Sequence, residues 1–259
     1  MSGSMPVVFA GHGSPMNALA ENRFSRALNS LGQQMARPNA ILCVSAHWQT
    51  QGTYLTNAAN PKMIYDFHGF PEELYQVRYS APGAPALAEK IQKSFPDLKI
   101  QSDQGRWGFD HGSWGVLTHL YPEADIPVLQ LSLDMTKSPV EHLEIAKKLS
   151  PLRDQGVLIL GSGNIVHNLR NFSRNTNAPA LPWAVEFDTW VKTQIENRNF
   201  QTLAEDFYKT EAGRLSVADI DHYLPLLYVL GASRPQDKLK FFLEEIQNGS
   251  ISMRSFVLN

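Results

Sequence analysis

Ala40-Ile41-Leu42-Cys43-Val44-Ser45-Ala46-His47-Trp48 decides the fold. Its small and apolar residues run unbroken, without the alternation of a sheet that has one wet face. It therefore reads as a strand covered on both sides, and it ends in a histidine. Upstream, Phe24, Ala27, Leu28, Leu31 and Met35 recur at helical spacing, and Pro38 stops that helix. Further upstream, Val7-Val8-Phe9-Ala10 is a second covered strand, running into Gly11-His12-Gly13-Ser14-Pro15. Strand, helix and strand in this order form a βαβ unit, whose crossover makes the two strands parallel. His12 and His47 then share the carboxyl rim of one sheet, where open α/β folds bind ligands. Gly11 and Gly13 read as clearance for a group bound at His12.

The pattern continues downstream. Thr53 to Asn57 suggests a short strand, and Asp66-Phe67-His68-Gly69-Phe70-Pro71 an ordered aromatic loop. Ala84 to Phe95 reads as a helix and Leu98 to Gln101 as a strand. Trp107-Gly108-Phe109-Asp110-His111-Gly112-Ser113-Trp114-Gly115 has no core periodicity, so its aromatics and glycines are expected to shape a site. Ser113 is the expected cap of the helix that follows, and Asp110 either orients His111 or is a turn residue. Ile126 to Leu133 is another strand, and Ser138-Pro139-Val140-Glu141 a capping box. That box opens a helix to about Arg153, with His142 expected in solvent. Gly156 to Leu160 runs through Gly161-Ser162-Gly163-Asn164 to His167, a third apolar strand that leads to a histidine. Leu181 to Asn197 is a helix. Asp219 to Gly231 reads as a buried helix with Asp221 as N-cap, Gly231 as stop and His222 in the first turn. Lys240–Phe242 and Ser250–Leu258 suggest closing strands.

Composition excludes several classes. With 259 residues and 43% hydrophobic residues the chain is long enough for one large domain or two small ones. A net charge of −2 gives no field for nucleic acid or an anionic membrane surface. No run reaches the roughly 18 apolar residues of a membrane span. Met1-Ser2-Gly3-Ser4 lacks the basic and apolar regions of a signal peptide. Cys43 is the only cysteine, so no disulfide forms within the chain, and the expected compartment is the cytoplasm. Nothing in the sequence indicates an oligomeric state.

Three βα turns and a helix start thus each present a histidine. Several neutral imidazoles on one rim suit zinc, iron or copper, and their long sequence separation implies a site built by the tertiary fold. Competing motifs are weak. Gly161-Ser162-Gly163 lacks the third glycine of a dinucleotide fingerprint, and no H-E-x-x-H or P-loop is present.

Gly11-His12-Gly13-Ser14-Pro15, Ser45-Ala46-His47-Trp48, Gly108 to Gly115, Gly161 to Leu169 and His222-Tyr223-Leu224-Pro225-Leu226-Leu227 together resemble the 4,5-DOPA extradiol dioxygenase family. This family belongs to the LigB-type class III extradiol ring-cleavage dioxygenases. The resemblance follows the same order over nearly the whole chain. It implies a single α/β domain with a central, mostly parallel sheet and helices on both faces. It also implies a mononuclear divalent metal held by His12, His47 and His222. His167 matches the family's acid/base histidine and is placed to serve as a fourth ligand, and His111 matches a histidine near the substrate. The implied substrates are dioxygen and a catechol such as L-DOPA, cleaved at the 4,5 bond. An all-imidazole shell implies Zn(II) in the purified protein and Fe(II) for turnover. A zinc-binding protein of this fold without turnover, and a zinc hydrolase, are the other readings of the same ligands.

Overall fold

The computed structural model describes residues 4–259; Met1–Gly3, part of the stretch read as lacking a signal peptide, lie outside the described residues. In chain order the elements are β1 (Val7–Gly11), α1 (Arg23–Gln34), β2 (Ala40–Thr50), β3 (Tyr54–Leu55), α2 (Glu72–Tyr75), α3 (Pro85–Ser94), β4 (Gln101–Ser102), α4 (His111–Leu120), β5 (Val128–Asp134) and α5 (Pro139–Leu149). There follow β6 (Val157–Gly163), α6 (Pro182–Glu196), α7 (Phe200–Glu205), α8 (Glu211–Ser216), α9 (Leu224–Ala232), β7 (Leu239–Leu243), β8 (Ile246–Gln247), β9 (Ile251–Ser252) and β10 (Ser255–Leu258).

The main sheet has the order β4-β3-β5-β2-β6-β1-β10-β7. Its centre, β5-β2-β6-β1, is parallel, as the βαβ reading required. Antiparallel pairings flank it, β3 on β5 and β10 on β1. The two central strands of the sequence reading do not touch: β6 lies between β1 and β2. This order puts the ends of β1, β6 and β2 side by side.

Alternation along each strand divides the core into two layers. Val7, Phe9, Leu42, Val44 and Ile159 join α5, α6 and α9 on one face. Val8, Ala10, Ile41, Cys43, Leu158 and Leu160 join α1 and α4 on the other. Both faces are apolar because both are covered, which is why these strands carry no polar alternation. Cys43 is buried among them, and burial pushes its thiol well up, so it is an inert packing residue. Among the described residues no helix is long and apolar enough to cross a membrane.

Several local readings need correction. Asp110, not Ser113, is the N-cap of α4; its carboxylate accepts from Ser113 N at 3.0 Å. The capping box at Ser138 is present, but α5 ends at Leu149 and a 3-10 turn continues to Gln155. Asp221 does not cap α9, which begins three residues later behind Tyr223, and Gly231 lies inside that helix. Gly231 belongs there because α5 crosses so closely that a Cβ would meet Leu143 O at 2.5 Å. His142, expected in solvent, is fully buried between α5 and α9, with Nδ1 3.0 Å from the Tyr228 hydroxyl. Its position in the first turn of an exposed-looking helix start hid a contact made 86 residues away.

Burial holds the His142 imidazole at about 4, below its ordinary value. The folded state therefore resists a proton that the unfolded chain accepts. The contribution is complete above the ordinary histidine pKa and is lost as pH falls toward 4. Urea unfolding of the His142→Gln variant should show a shallower loss of stability from pH 7 to pH 5 than the parent protein. An equal pH slope in both proteins would exclude this role.

Candidate metal centre

β1 ends at Gly11 and the next residue is His12, buried at the carboxyl rim. β2 does not stop before His47, as its apolar run suggested, but continues to Thr50. Val44 pairs with Leu131 and Gln49 with Leu133, so β2 spends five residue steps on two of β5. This bulge turns His47 out of the ladder and toward His12; such irregularities commonly re-aim side chains beside sites. His222 arrives from the turn before α9, and its carbonyl accepts from Asn164 N just beyond β6. Gly163 makes that approach possible, since a Cβ there would lie 2.2 Å from His222 O.

His12, His47 and His222 form a group whose candidate ligand atoms all lie within 4.8 Å of one another. Their protons can be placed. Ser162 Oγ donates its only hydrogen to Gly112 O at 2.5 Å, so at 3.0 Å it must accept from His12 Nδ1. Asp66 Oδ2 stands 3.0 Å from His47 Nδ1, and Asp221 Oδ1 stands 3.0 Å from His222 Nδ1. Ionised carboxylates only accept, so both rings also carry the proton on Nδ1. Each Nε2 is left with a lone pair. When both rings are neutral, His12 Nε2 and His47 Nε2 face each other at 3.2 Å as two lone pairs; without a metal, a proton on His47, whose imidazole its carboxylate neighbours raise, bridges them. Two facing lone pairs call for a cation. The residues present thus fit a mononuclear divalent metal on imidazole nitrogens, each ring oriented by an oxygen acceptor behind it.

The pKa directions agree with ligand chemistry at His12 and His222. Burial, then the neighbouring imidazoles, hold His12 and His222 well below the ordinary value, so both are neutral at pH 7. Burial opposes charge on His47 too, but Asp66, Asp110 and Asp221 outweigh it and raise this group. Asp66 itself would be raised by burial, yet His111 and His47 beside it hold the carboxyl far below the usual range.

His111 sits at the first position of α4, its ring centroid 4.0 Å from that of His47. The sequence left Asp110 as either the partner of His111 or a turn residue. Asp110 is instead consumed by Ser45 Oγ, Ser113 N and Gln130 Nε2, at 2.6, 3.0 and 2.7 Å. Asp66 serves His111: Oδ1 accepts its backbone N–H at 2.9 Å, and Oδ2 lies 3.0 Å from Nδ1. One carboxylate from the aromatic loop thus holds both His47 and His111. Sequence reasoning missed Asp66 because its partners are 19 and 45 residues away. The available signal was one acidic residue among the aromatics of a glycine- and proline-bounded loop.

His167 lies in the loop after β6, with its backbone N–H bonded to Ser216 O. Its ring stacks on His222, centroids 3.6 Å apart and planes 5° from parallel. The mutually close group of three ligands does not include it. Burial holds its imidazole down at about 4. His68 is exposed in the loop, and His119 bonds Asn17 O from within α4, so neither joins the site. All five site histidines line a cavity of about 340 Å³. Gly11 and Gly13 do not clear space for a bound group. A Cβ on either would strike Met253, at its backbone (2.9 Å) or its sulfur (2.5 Å), and Gly13 also has φ of 60°.

A cluster of imidazoles that could hold a metal, at the carboxyl rim of a covered α/β sheet, points to a class, and the chain can be placed within it. The family model described as the catalytic LigB subunit of aromatic ring-opening dioxygenase matches residues 5–253, and the chain belongs to this family. It is 45% identical over 253 residues to the 4,5-DOPA dioxygenase extradiol of Escherichia coli (strain K12), over 97% of this chain and 93% of that protein. A Beta vulgaris protein of the same name is 36% identical over 96% of this chain and 94% of its own length. The crystal structure of an uncharacterized protein from Escherichia coli K12 superposes with a TM-score of 0.85 at 41% identity, over 98% of this chain and 100% of that one.

Asp66→Ala should weaken zinc binding by about 10- to 100-fold, the usual cost of losing an oriented partner behind a ligand. Competition with a chromophoric chelator measures it, and unchanged affinity would remove Asp66 from the site. Gly163→Ala should lower both thermal stability and metal affinity, because the His222 backbone has to move.

Proposed function

We propose that residues 1–259 form one catalytic unit, an extradiol ring-cleaving dioxygenase that inserts dioxygen into a catechol. The observation that carries this reading is the convergence of three Nδ1-protonated imidazoles on a cavity lined by two further histidines. Family membership supports the reaction type, and the names of the relatives support a catechol as substrate.

His12, His47 and His222 would hold the metal through Nε2, with Zn(II) in the purified protein and Fe(II) for turnover. When bound, the metal supplies a Lewis acid for the catechol oxygens and, as iron, an electron path between ring and dioxygen. His167 is neutral, lines the cavity and lies flat on His222, so it is the base for a catechol hydroxyl proton. It can return that proton late in the reaction. His111, tied to Asp66 through its backbone N–H, keeps Nε2 for a hydrogen bond to an oxygen of the reacting pair. Pro15, Phe70 and Ile251 line the cavity and exclude water around the ring. The absence of disulfide chemistry in a one-cysteine chain supports a cytoplasmic site of action.

Anaerobic reconstitution with Fe(II), followed by catechol and oxygen, tests the reaction. Oxygen uptake matching the appearance of a visible absorbance is expected. Iron bound without uptake would favour a metal-binding protein without turnover, and ester or amide cleavage by the zinc form would favour a hydrolase. His12→Ala should abolish metal binding. His111→Ala should retain the metal while turnover falls by about 100-fold or more. Equal metal loss in both variants would overturn the division of roles.

A further inference from the structure

A second cavity, of about 430 Å³, lies at the β3–β4 edge of the sheet and shares no lining residue with the histidine cavity. Its inner residues are aromatic. Trp48 is buried and Trp107 half-buried, with ring centroids 5.6 Å apart and planes 3° from parallel. Trp107 Nε1 donates to Asp110 Oδ2 at 3.3 Å, which fixes that ring. Tyr54 of β3 is a third aromatic in the lining. Gln51, Gln101, Gln104 and Arg106 also line the cavity and are exposed.

The loop that carries Arg106 is tightly tied. Gln104 and Gly105 both take left-handed backbone, with φ of 56° and 72°, so the chain turns sharply there. Asp103 clamps this turn from a buried position. Its Oδ1 accepts from Asn57 N at 3.1 Å and Gly105 N at 3.0 Å, and its Oδ2 from Trp107 N at 2.8 Å. Asp103 is the one acidic residue of the lining, and its carboxylate is spent on these backbone donors. Arg106 is the one basic residue of the lining, and among the described residues it joins no ion pair. The cavity thus combines a stacked indole pair with an uncommitted guanidinium.

Each part selects a ligand feature. Parallel indoles favour a further flat ring set against them in an offset stack. The guanidinium fork matches the two oxygens of a carboxylate. The three glutamine amides can bond a ring hydroxyl. The volume is that of a small-molecule site.

We propose that this second cavity binds a small aromatic carboxylate, with Arg106 holding the carboxylate and the Trp48–Trp107 pair stacking on the ring. The proposal is independent of the metal centre and of the reaction there.

Calorimetric titration of the zinc-loaded protein tests it. The probes are 4-hydroxybenzoate, which is not a catechol, its uncharged analogue 4-hydroxybenzamide, and the non-aromatic cyclohexanecarboxylate. 4-Hydroxybenzoate should bind about tenfold or more tightly than the amide, the effect of a charged hydrogen bond. It should bind about threefold or more tightly than cyclohexanecarboxylate, the effect of an aromatic pair. Arg106→Gln, a change at an exposed side chain, should remove the preference for the acid over the amide. Trp107→Leu should remove the preference for the aromatic acid over the aliphatic one. His12→Ala, titrated without metal, should bind 4-hydroxybenzoate as the parent does. No binding up to about 10 mM, equal affinity for the three probes, or an unchanged preference in Arg106→Gln would overturn the proposal. Loss of binding in His12→Ala would place the ligand in the histidine cavity and overturn it too.

Discussion

Three imidazoles point their unprotonated nitrogens at one another because an oxygen behind each ring takes the proton of the other nitrogen. Ser162 does this for His12, Asp66 for His47 and Asp221 for His222. For neutral rings the arrangement is electrostatically unfavourable by itself: lone pairs face each other in the cavity. It persists because the acceptors are fixed by the sheet and its loops before any metal arrives. The hydroxyl of Ser162 is spent on Gly112 O, and Asp221 Oδ2 accepts from Gln49 Nε2 at 2.8 Å. A cation turns the same geometry from a cost into a gain, so the rest of the structure can be read as the frame that holds these acceptors still.

That frame is the parallel centre of the sheet. Because β6 is inserted between β1 and β2, Ser162 lies one strand away from both His12 and His47. The three carboxyl ends therefore supply two ligands and the acceptor for one of them. The fourth contribution comes from α9, whose residues are buried from Leu224 to Ala232 between the sheet and α5. Burying this helix so thoroughly fixes the turn before it, and His222 with it. The C-terminal segment closes the arrangement: Asn164 accepts from Gly13 N at 3.3 Å and donates to Ser252 O at 2.7 Å, while Asp188 pairs with Arg254 and Ser252.

Legibility in the sequence followed the range of the interaction. The strands at Val7, Ala40, Ile126 and Gly156 were readable because burial on both faces removes polar residues from a continuous stretch. The capping box at Ser138 was readable because its partners are three residues apart. Asp110 was seen as a candidate partner of His111, its neighbour in the chain, but spatial neighbours claim it instead. His142 was misplaced for the same reason: its partner, Tyr228, is reached only across two packed helices. Gly11 and Gly13 were recognised as special, yet the neighbour that needs their space, Met253, arrives from the far end of the chain.

The sequence by itself determined the α/β class and the rim on which the strand-end histidines gather; the resemblance to the dioxygenase family pointed to the five imidazoles. Apolar runs, helical spacing and turn residues are local, and the parallel crossover follows from them. Only the tertiary structure decided which oxygen orients each ring. Asp66 became the shared partner of His47 and His111, β2 acquired the bulge that aims His47, and His167 came to lie flat on His222. The tertiary structure also decided the lining of the cavity, which joins residues from loops far apart in the chain. Hydrogen bonds and close packing act over a few ångströms, and the chain brings those atoms together only when the sheet order is complete.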